Sequence, residues 1–163
     1  MSQSVEAQDH TQDIERTINN IQACYIEDTT QINRTYRQAI VNAPNSAMEL
    51  NAINQAENEY SNLVKEYYKL LFKNLNREEK ILIMNDQRKW KQFINTERSI
   101  YSNFSKPPYV MNHESKDRYV FFAKRYLSQT QDRLGSLYTF LQHIYLRNHK
   151  NNLVIDKVCV SPL

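Results

Sequence analysis

The chain of 163 residues contains a single glycine, Gly135, whereas glycine averages about 7% of residues in proteins. Glycine is the residue that readily adopts the positive φ angles of tight hairpin turns and of loops that wrap phosphate groups. The glycine-rich nucleotide-binding motifs and the glycine-flanked serine motif of hydrolases therefore cannot occur here. This scarcity predicts an all-α protein.

Long apolar runs are also missing. No stretch approaches the roughly 18 apolar residues that a transmembrane helix needs, so no integral membrane segment is expected. The opening residues, MSQSVEAQDH, lack the basic and apolar regions of a signal peptide. Two explanations stay open: a cytoplasmic protein, or the mature form of an exported protein in which a starting methionine has replaced the leader.

Cysteine is scarce, since only Cys24 and Cys159 are present, near opposite ends of the chain. Neither has a second cysteine or a histidine at zinc-ligand spacing, so a zinc site is not expected. Two alternatives remain for this pair. The cysteines are independent buried thiols, or they form one disulfide that ties the C-terminal tail to the first helix. In the chain-entropy model, closing so long a loop would stabilise the fold by about 5 kcal/mol.

Residue patterns typical of catalysis are missing as well. No histidine has an acid or a second histidine at ligand spacing on the same helical face. Neighbouring carboxylates such as Glu78 and Glu79 point in different directions on a helix, so they cannot share one substrate. The sequence therefore predicts no catalytic residues, no metal site, no cofactor and no enzymatic activity. The four histidines are His10, His113, His143 and His149.

Charge is distributed unevenly, although the net charge is only +3. Residues 1–30 hold six acids and one base, and the remainder holds 20 bases and 12 acids. In one interpretation the acidic first segment folds back on the basic body. In the other, a basic face binds an acidic partner. No run of basic residues with interleaved aromatics is present, so nucleic acid is not an expected partner.

Hydrophobic spacings of three, four and seven residues predict helices almost throughout. Ser46 followed by Glu49, and Asn76 followed by Glu79, have the spacing of capping boxes at helix starts. We expect a single domain over residues 1–163, an antiparallel bundle of about four long helices, with an extended coiled-coil hairpin as the alternative. The predicted elements are Thr11–Val41, Ser46 to about residue 73, Arg77–Phe104, Glu114–Asn148 and an extended tail, Leu153–Val160.

The third predicted helix carries the only tryptophan, Trp90, directly after Gln87, Arg88 and Lys89. In one interpretation Trp90 anchors the core and Gln87 bonds a neighbouring helix through its amide. In the other, Gln87, Arg88 and Trp90 belong to a partner-binding site, because tryptophan and arginine dominate binding hot spots.

This region resembles the LprI family of lysozyme-inhibitor-like proteins over about residues 20–104. The shared features are an aromatic and leucine-rich helix, a short acidic turn and a Gln-Arg-x-Trp-x-x-aromatic helix; Cys24 followed by Thr29 is similar to the family's Cys-x4-Thr opening. Val64 and the pair Ile94-Asn95 depart from the family pattern. The matching residues are Leu63, Tyr67, Leu71, Leu75, Glu78, Glu79, Lys80, Gln87, Arg88, Trp90, Phe93 and Glu97.

The resemblance implies a non-catalytic, periplasmic or secreted bacterial protein that binds a cell-wall hydrolase such as lysozyme and blocks its cleft. It also favours a disulfide, which here would join Cys24 to Cys159, because Arg98 stands near the place of the cysteine that usually closes the third helix. The helix after Pro108 has no counterpart in the shared module. The alternative function is a cytosolic helical protein-interaction module or a homo-oligomer; the sequence does not determine the oligomeric state.

Overall fold

The computed structural model describes residues 3–104 and 114–150. These residues form four α-helices, which confirms the predicted all-α bundle. The predicted linker around Pro107 and the predicted tail, Leu153–Val160, lie outside the described residues. The helices are α1 (Gln3–Val41), α2 (Ser46–Lys73), α3 (Arg77–Phe104) and α4 (Glu114–Lys150).

The first helix, α1, begins at Gln3 rather than at Thr11 as predicted. Its first turns contain strong helix formers such as Glu6, Ala7 and Gln8 but almost no large apolar residues, so hydrophobic periodicity could not reveal them. All four helices carry an apolar stripe on an otherwise polar surface. Over the described residues, none of them is both long enough and apolar enough to cross a membrane.

The start of α2 corrects one predicted cap. Asn45 is the N-cap, and its side-chain oxygen accepts hydrogen bonds from the backbone N–H groups of Ala47 and Met48, both at 3.1 Å. Asn45 has the extended backbone of an N-cap, with φ −157° and ψ 164°. Ser46, which the Ser46–Glu49 spacing placed at the cap, is instead the first helical residue.

The start of α3 confirms the other predicted cap. The backbone N–H of Glu79 donates to the Asn76 side-chain oxygen at 2.9 Å, and the Asn76 N–H donates to a Glu79 carboxylate oxygen at 2.9 Å. This reciprocal pair satisfies two backbone donors that the first turn of a helix otherwise leaves without partners.

The centre of the bundle is the pair α2 and α4, which pack most closely. Both helices carry small buried residues, Ala52 and Ala56 on α2 and Ala123 on α4. Glu49 pairs with Lys124 at 2.6 Å, and Thr130 donates to Glu57 at 3.2 Å. These contacts advance in the same direction along both helices, so α2 and α4 are parallel. Large fully buried side chains of the core include Ile53, Val64, Tyr67, Leu71, Leu134, Leu137, Leu141 and Tyr145.

The first helix packs antiparallel to α2 through a cluster of tyrosines. Tyr60 donates to the Asn33 side-chain oxygen at 2.9 Å, and Tyr67 donates to Asp28 at 3.0 Å. The Tyr25 ring stacks on Tyr138 of α4 with centroids 4.2 Å apart. Burial raises the pKa of the Asp28 carboxyl, and burial together with nearby Asp28 raises the pKa of Tyr67.

The helices α1 and α3 lie on opposite sides of α4. Tyr138 contacts α1, whereas Arg147 of α4 pairs with Glu79 of α3. Nine residues separate Tyr138 from Arg147, which corresponds to about half a turn around the helix axis. The acidic α1 and the basic α3 are therefore separated by the helices between them, and in the described part of the chain α1 packs mainly on α2 and α4.

Candidate binding surface on α3

The third helix is joined to α2 and α4 by apolar contacts, such as the Tyr101 ring stacked on Phe122 of α4, and by a set of long polar side chains. We call this polar set of contacts the α3 seam. At the start of α3, Glu79 pairs with Arg147 of α4. Because long charged side chains bridge the helices, α3 lies farther from its neighbours than α2 lies from α4. The other contacts of the α3 seam are Asp86 and Gln87 with Arg133, Glu97 with Arg125 and Gln129, and Arg98 with Glu57.

Arg133 is the most buried charge of the α3 seam, with 7% of its surface exposed. The Gln87 amide oxygen accepts hydrogen bonds from Arg133 Nε at 3.0 Å and from Nη2 at 2.7 Å. Asp86 forms an ion pair with Arg133 Nη1 at 2.6 Å, and the guanidinium carbon lies 5.8 Å from the centre of the Trp90 ring. One arginine from α4 is therefore held by three residues on a single face of α3.

The structure thus separates the three residues of the predicted partner-binding site. Gln87 is buried and Trp90 is half-buried, and both contact Arg133. Arg88 points away from this contact, is exposed, and donates to the Asn85 side-chain oxygen at 2.7 Å. The geometry of Gln87 and Trp90 fits the interpretation of a core anchor bonded to a neighbouring helix. A role for the three residues in binding a partner stays a prediction.

The sequence did not identify Arg133. A signal was present, because Arg133 follows Thr130 and precedes Leu134 and Leu137 on the buried face of α4, where the pattern expects apolar residues. A charge at such a position predicts a partner on another helix, but the sequence alone could not say which helix supplies it.

Glu97 is the carboxylate at the other end of the α3 seam. Arg125 donates to it from Nε and Nη2, both at 3.2 Å, and Gln129 donates at 2.8 Å. These hydrogen bonds, that from Arg125 foremost, lower the pKa of Glu97. The hydrogen bond from Arg147 similarly lowers the pKa of Glu79. Both groups are therefore held in the charged form, as structural ion pairs require.

Outside the α3 seam, α3 carries an unusual number of exposed apolar residues. Five large hydrophobic side chains there keep between 45% and 69% of their surface exposed. Three exposed cations lie among them, and within the described chain none of the three forms an ion pair. We call this set the outer face of α3, although at 3.6 residues per turn it extends over more than half of the helix circumference; it consists of Ile81, Leu82, Met84, Phe93 and Ile100 with Arg88, Lys89 and Lys91.

Among the histidines, cysteines and carboxylates of the described residues, no group of three or more is placed to hold a metal ion. Carboxylates that contact side chains of other helices include Glu57, which pairs with Arg98, and Asp28, which accepts a hydrogen bond from the Tyr67 hydroxyl. Both contacts join one helix to another.

Only one of the two cysteines of the predicted disulfide lies within the described residues. Cys24 lies on the buried face of α1 with 6% of its surface exposed. Cys159 lies outside the described residues, so the pairing of the two cysteines stays a prediction.

Comparison of the chain with protein-family models, with curated proteins and with solved structures gave no match. The resemblance to the LprI family thus stays a proposal based on the residues quoted for it. The function proposed below is therefore argued from the outer face of α3 and from that resemblance.

Proposed function

We propose that this protein is a non-catalytic helical module that binds another protein. The supporting observation is the outer face of α3, where five large apolar side chains are exposed on one helix. Single exposed hydrophobic residues are normal on a protein surface, whereas a concentration of them marks a candidate interaction site. Arginine, aromatic residues and methionine are also the residue types that are enriched in interfaces.

The more specific proposal is a bacterial envelope protein that inhibits lysozyme or another cell-wall hydrolase. Its support is the resemblance of residues 20–104 to the LprI family. The charge of the chain disfavours strongly basic hydrolases as partners, because a net charge of +3 repels them at low salt. A neutral or acidic hydrolase fits the outer face of α3 better.

In-cell photo-crosslinking tests whether the protein binds a partner through α3. A photoreactive phenylalanine analogue replaces Phe93 on the outer face of α3. The matched control carries it in place of Ile26 on α1, because these side chains are exposed to a similar extent, 50% and 52%. We expect an adduct with a second protein from position 93 and none from position 26.

Three other outcomes would count against the proposal. Equal adducts from both positions would contradict the assignment of the binding site to α3. The absence of any adduct would contradict the proposed protein binding. An adduct between two copies of this chain would favour the homo-oligomer instead. Hydrolase inhibition is measured separately, as the rate at which purified enzymes clear a suspension of cell walls with and without the protein.

A further inference from the structure

The side of α1 that carries Cys24 is not closed by α2 alone. Cys24 keeps only 6% of its surface exposed. Gln31, one heptad later, is turned only about 20° around the helix axis from Cys24, and α2 contacts α1 at Asp28 and Asn33 on either side of it. Gln31 is nevertheless exposed. The cover over Cys24 is therefore local to its own stretch of α1.

The register of α1 against α2 places Cys24 near the end of α2. Tyr67 donates to Asp28, and the two helices are antiparallel, so Cys24, one turn earlier on α1, comes to the level of Leu70 and Leu71. Leu71 is fully buried, whereas Leu70 is only partly buried. Cys24 and Leu70 thus lie at a border of the α1–α2 contact that a further segment of chain can cover. We call this border the Cys24 flank.

The C-terminal tail has the length and the starting point to reach this flank. Cys159 is the only other cysteine of the chain, and the described residues contain no free cysteine. The tail starts where α4 ends, at Lys150. Tyr25, next to Cys24, stacks on Tyr138 of α4, and α4 rises about 18 Å from Tyr138 to its end. Residues 151–159 span about 30 Å when extended, which leaves enough length to cross the width of a helix.

We propose that residues 151–160 run back from the end of α4 over the Cys24 flank as a strap, which a bond between Cys24 and Cys159 fixes in place. Alternate side chains of an extended segment share a side, so Leu153 and Ile155 fall on the side of Cys159 and would face the bundle. The bond forms when the two thiols pass two electrons and two protons to a small disulfide such as oxidised glutathione, which becomes two thiols.

The strap is independent of the proposed partner-binding surface. Tyr138 contacts α1 and Arg147 contacts α3 from opposite sides of α4, so a segment on the α1 side leaves the outer face of α3 uncovered. The strap would hold the stretch of α1 around Cys24 against the end of α2. Its removal should loosen that stretch of α1 and not the packing of α2 on α4.

Photo-crosslinking within the full chain locates the strap. A photoreactive phenylalanine analogue replaces Ile155, and linked peptides from protein of monomer mass are mapped by mass spectrometry. We expect links to residues 18–31 of α1 or residues 63–73 of α2. The matched control carries the analogue in place of Phe140, which is 43% exposed on α4, and should give no links to these two stretches. Links from position 155 to α3, or no links within the chain, would overturn the inference.

Hydrogen exchange tests whether the tail packs on the bundle or is only tethered to it. Amides around Cys24 should lose about fivefold or more of their protection on reduction and in Cys159→Ser, while amides of α2 and α4 that face each other keep theirs. Ile155→Asp should lower the protection around Cys24 although both cysteines are present. Val154→Asp, on the other side of the extended segment, is the matched control and should have a smaller effect.

Three results would overturn the inference, once far-ultraviolet circular dichroism has shown that each variant is folded. The first is equal protection around Cys24 in the oxidised and reduced chains. The second is an equal effect of Ile155→Asp and Val154→Asp, which would indicate a tether without packing. The third is a disulfide between two copies of the chain, detected as a dimer mass that reduction converts to the monomer mass.

Discussion

Arg133 shows how a single residue connects the conspicuous motif of the sequence to the rest of the molecule. The Gln-Arg-x-Trp pattern identified Gln87 and Trp90 as important, but their common partner lies 46 positions beyond Gln87. Only the folded bundle brings the three together. Arg88, the middle residue of the pattern, is turned outward. Neighbours in the motif therefore have different surroundings, and their substitutions should have different consequences.

Replacing Gln87 by leucine is expected to destabilise the protein by about 2 kcal/mol, because the buried Arg133 guanidinium loses two hydrogen bonds. Arg88→Ala should change the free energy of unfolding by less than about 0.5 kcal/mol, as an exposed substitution usually does. Urea denaturation measures both. In the double variant Gln87→Leu with Arg133→Met, stability should largely return, since the buried charge is also removed. Equal effects at positions 87 and 88 would contradict the described contact.

The only glycine in the sequence lies inside α4 and offers a stabilising substitution. A Cβ atom added at Gly135 would meet only the Tyr25 hydroxyl oxygen, at 3.9 Å, an ordinary contact distance. Gly135→Ala is therefore expected to stabilise the protein by about 1 kcal/mol, the difference in helix propensity. The measurement is the midpoint of urea unfolding, with Gly135→Val as a control that should gain less. A loss of stability in Gly135→Ala would show that α4 and α1 lie closer than described.

At the scale of the elements, α3 differs from the other helices in what holds it. The packing of α2 on α4 is formed by buried apolar side chains, whereas α3 combines its polar seam with a smaller apolar contribution from Ile83, Ile94 and the Tyr101 ring that stacks on Phe122. Ion pairs that remain partly exposed contribute little each, about 0–1 kcal/mol. The attachment of α3 should consequently depend on salt and pH more than that of α2 or α4.

Acidification should loosen α3 before the rest of the bundle. The pKa values of Glu79 and Glu97 are lowered from the ordinary 4.5. Their stabilising contribution is thus present above the ordinary value and is lost as the pH falls through the lowered ones. Asp28 in the α1–α2 contact has a raised pKa, so its contribution is lost as the pH rises and not as it falls.

Hydrogen exchange followed by mass spectrometry checks this expectation. From neutral pH to about pH 3, and after correction for the intrinsic pH dependence of exchange, amides of α3 should lose several-fold more protection than those of α2 and α4. Added salt at neutral pH should act in the same direction by screening the ion pairs. A uniform loss of protection across the four helices would contradict a separate contribution from the α3 seam.

The helices themselves were largely predictable, and their packing was not. The starts of α2 and α3 followed from local signals, apolar spacing and the Asn76–Glu79 capping box, which act within a few residues. The start of α1 was missed because its first turns lack apolar residues, and the cap of α2 because Asn45 and Ser46 are both good caps. The arrangement of α3 depends on side chains from other helices, a property that no local pattern reports.

At the scale of the whole molecule, the region that resembles the LprI family does not contain the complete core. Residues 20–104 include the second half of α1 and all of α2 and α3, whereas much of the central packing comes from α4. The fully buried Leu134, Leu137 and Leu141 all belong to α4. In this chain α4 is therefore part of the same packing unit as the region of resemblance.

The oxidation state of the two cysteines tests the proposed cellular compartment of the protein. The protein is made in an oxidising compartment and alkylated in denaturant. If the envelope proposal holds, it should take up no alkyl group before reduction and two alkyl groups after reduction. Denaturant is needed because Cys24 is only 6% exposed, so a buried thiol would escape labelling. Intact mass gives the count. Two labels before reduction would remove the Cys24–Cys159 bond and favour the cytosolic alternative.

The parallel arrangement of α2 and α4 has a consequence for how the chain is made. Two adjacent helices that run parallel cannot be joined by a short turn, as the helices of a hairpin are. Contacts between α2 and α4 therefore join residues far apart in the chain; Thr130 and Glu57, for example, are 73 positions apart. Contacts of this kind form slowly, because a long loop must close first. A nascent chain that has emerged only through α3 would still lack α4, and the apolar side chains of α2 that α4 covers would stay exposed. Synthesis of α4 is thus the step at which the complete core can first form.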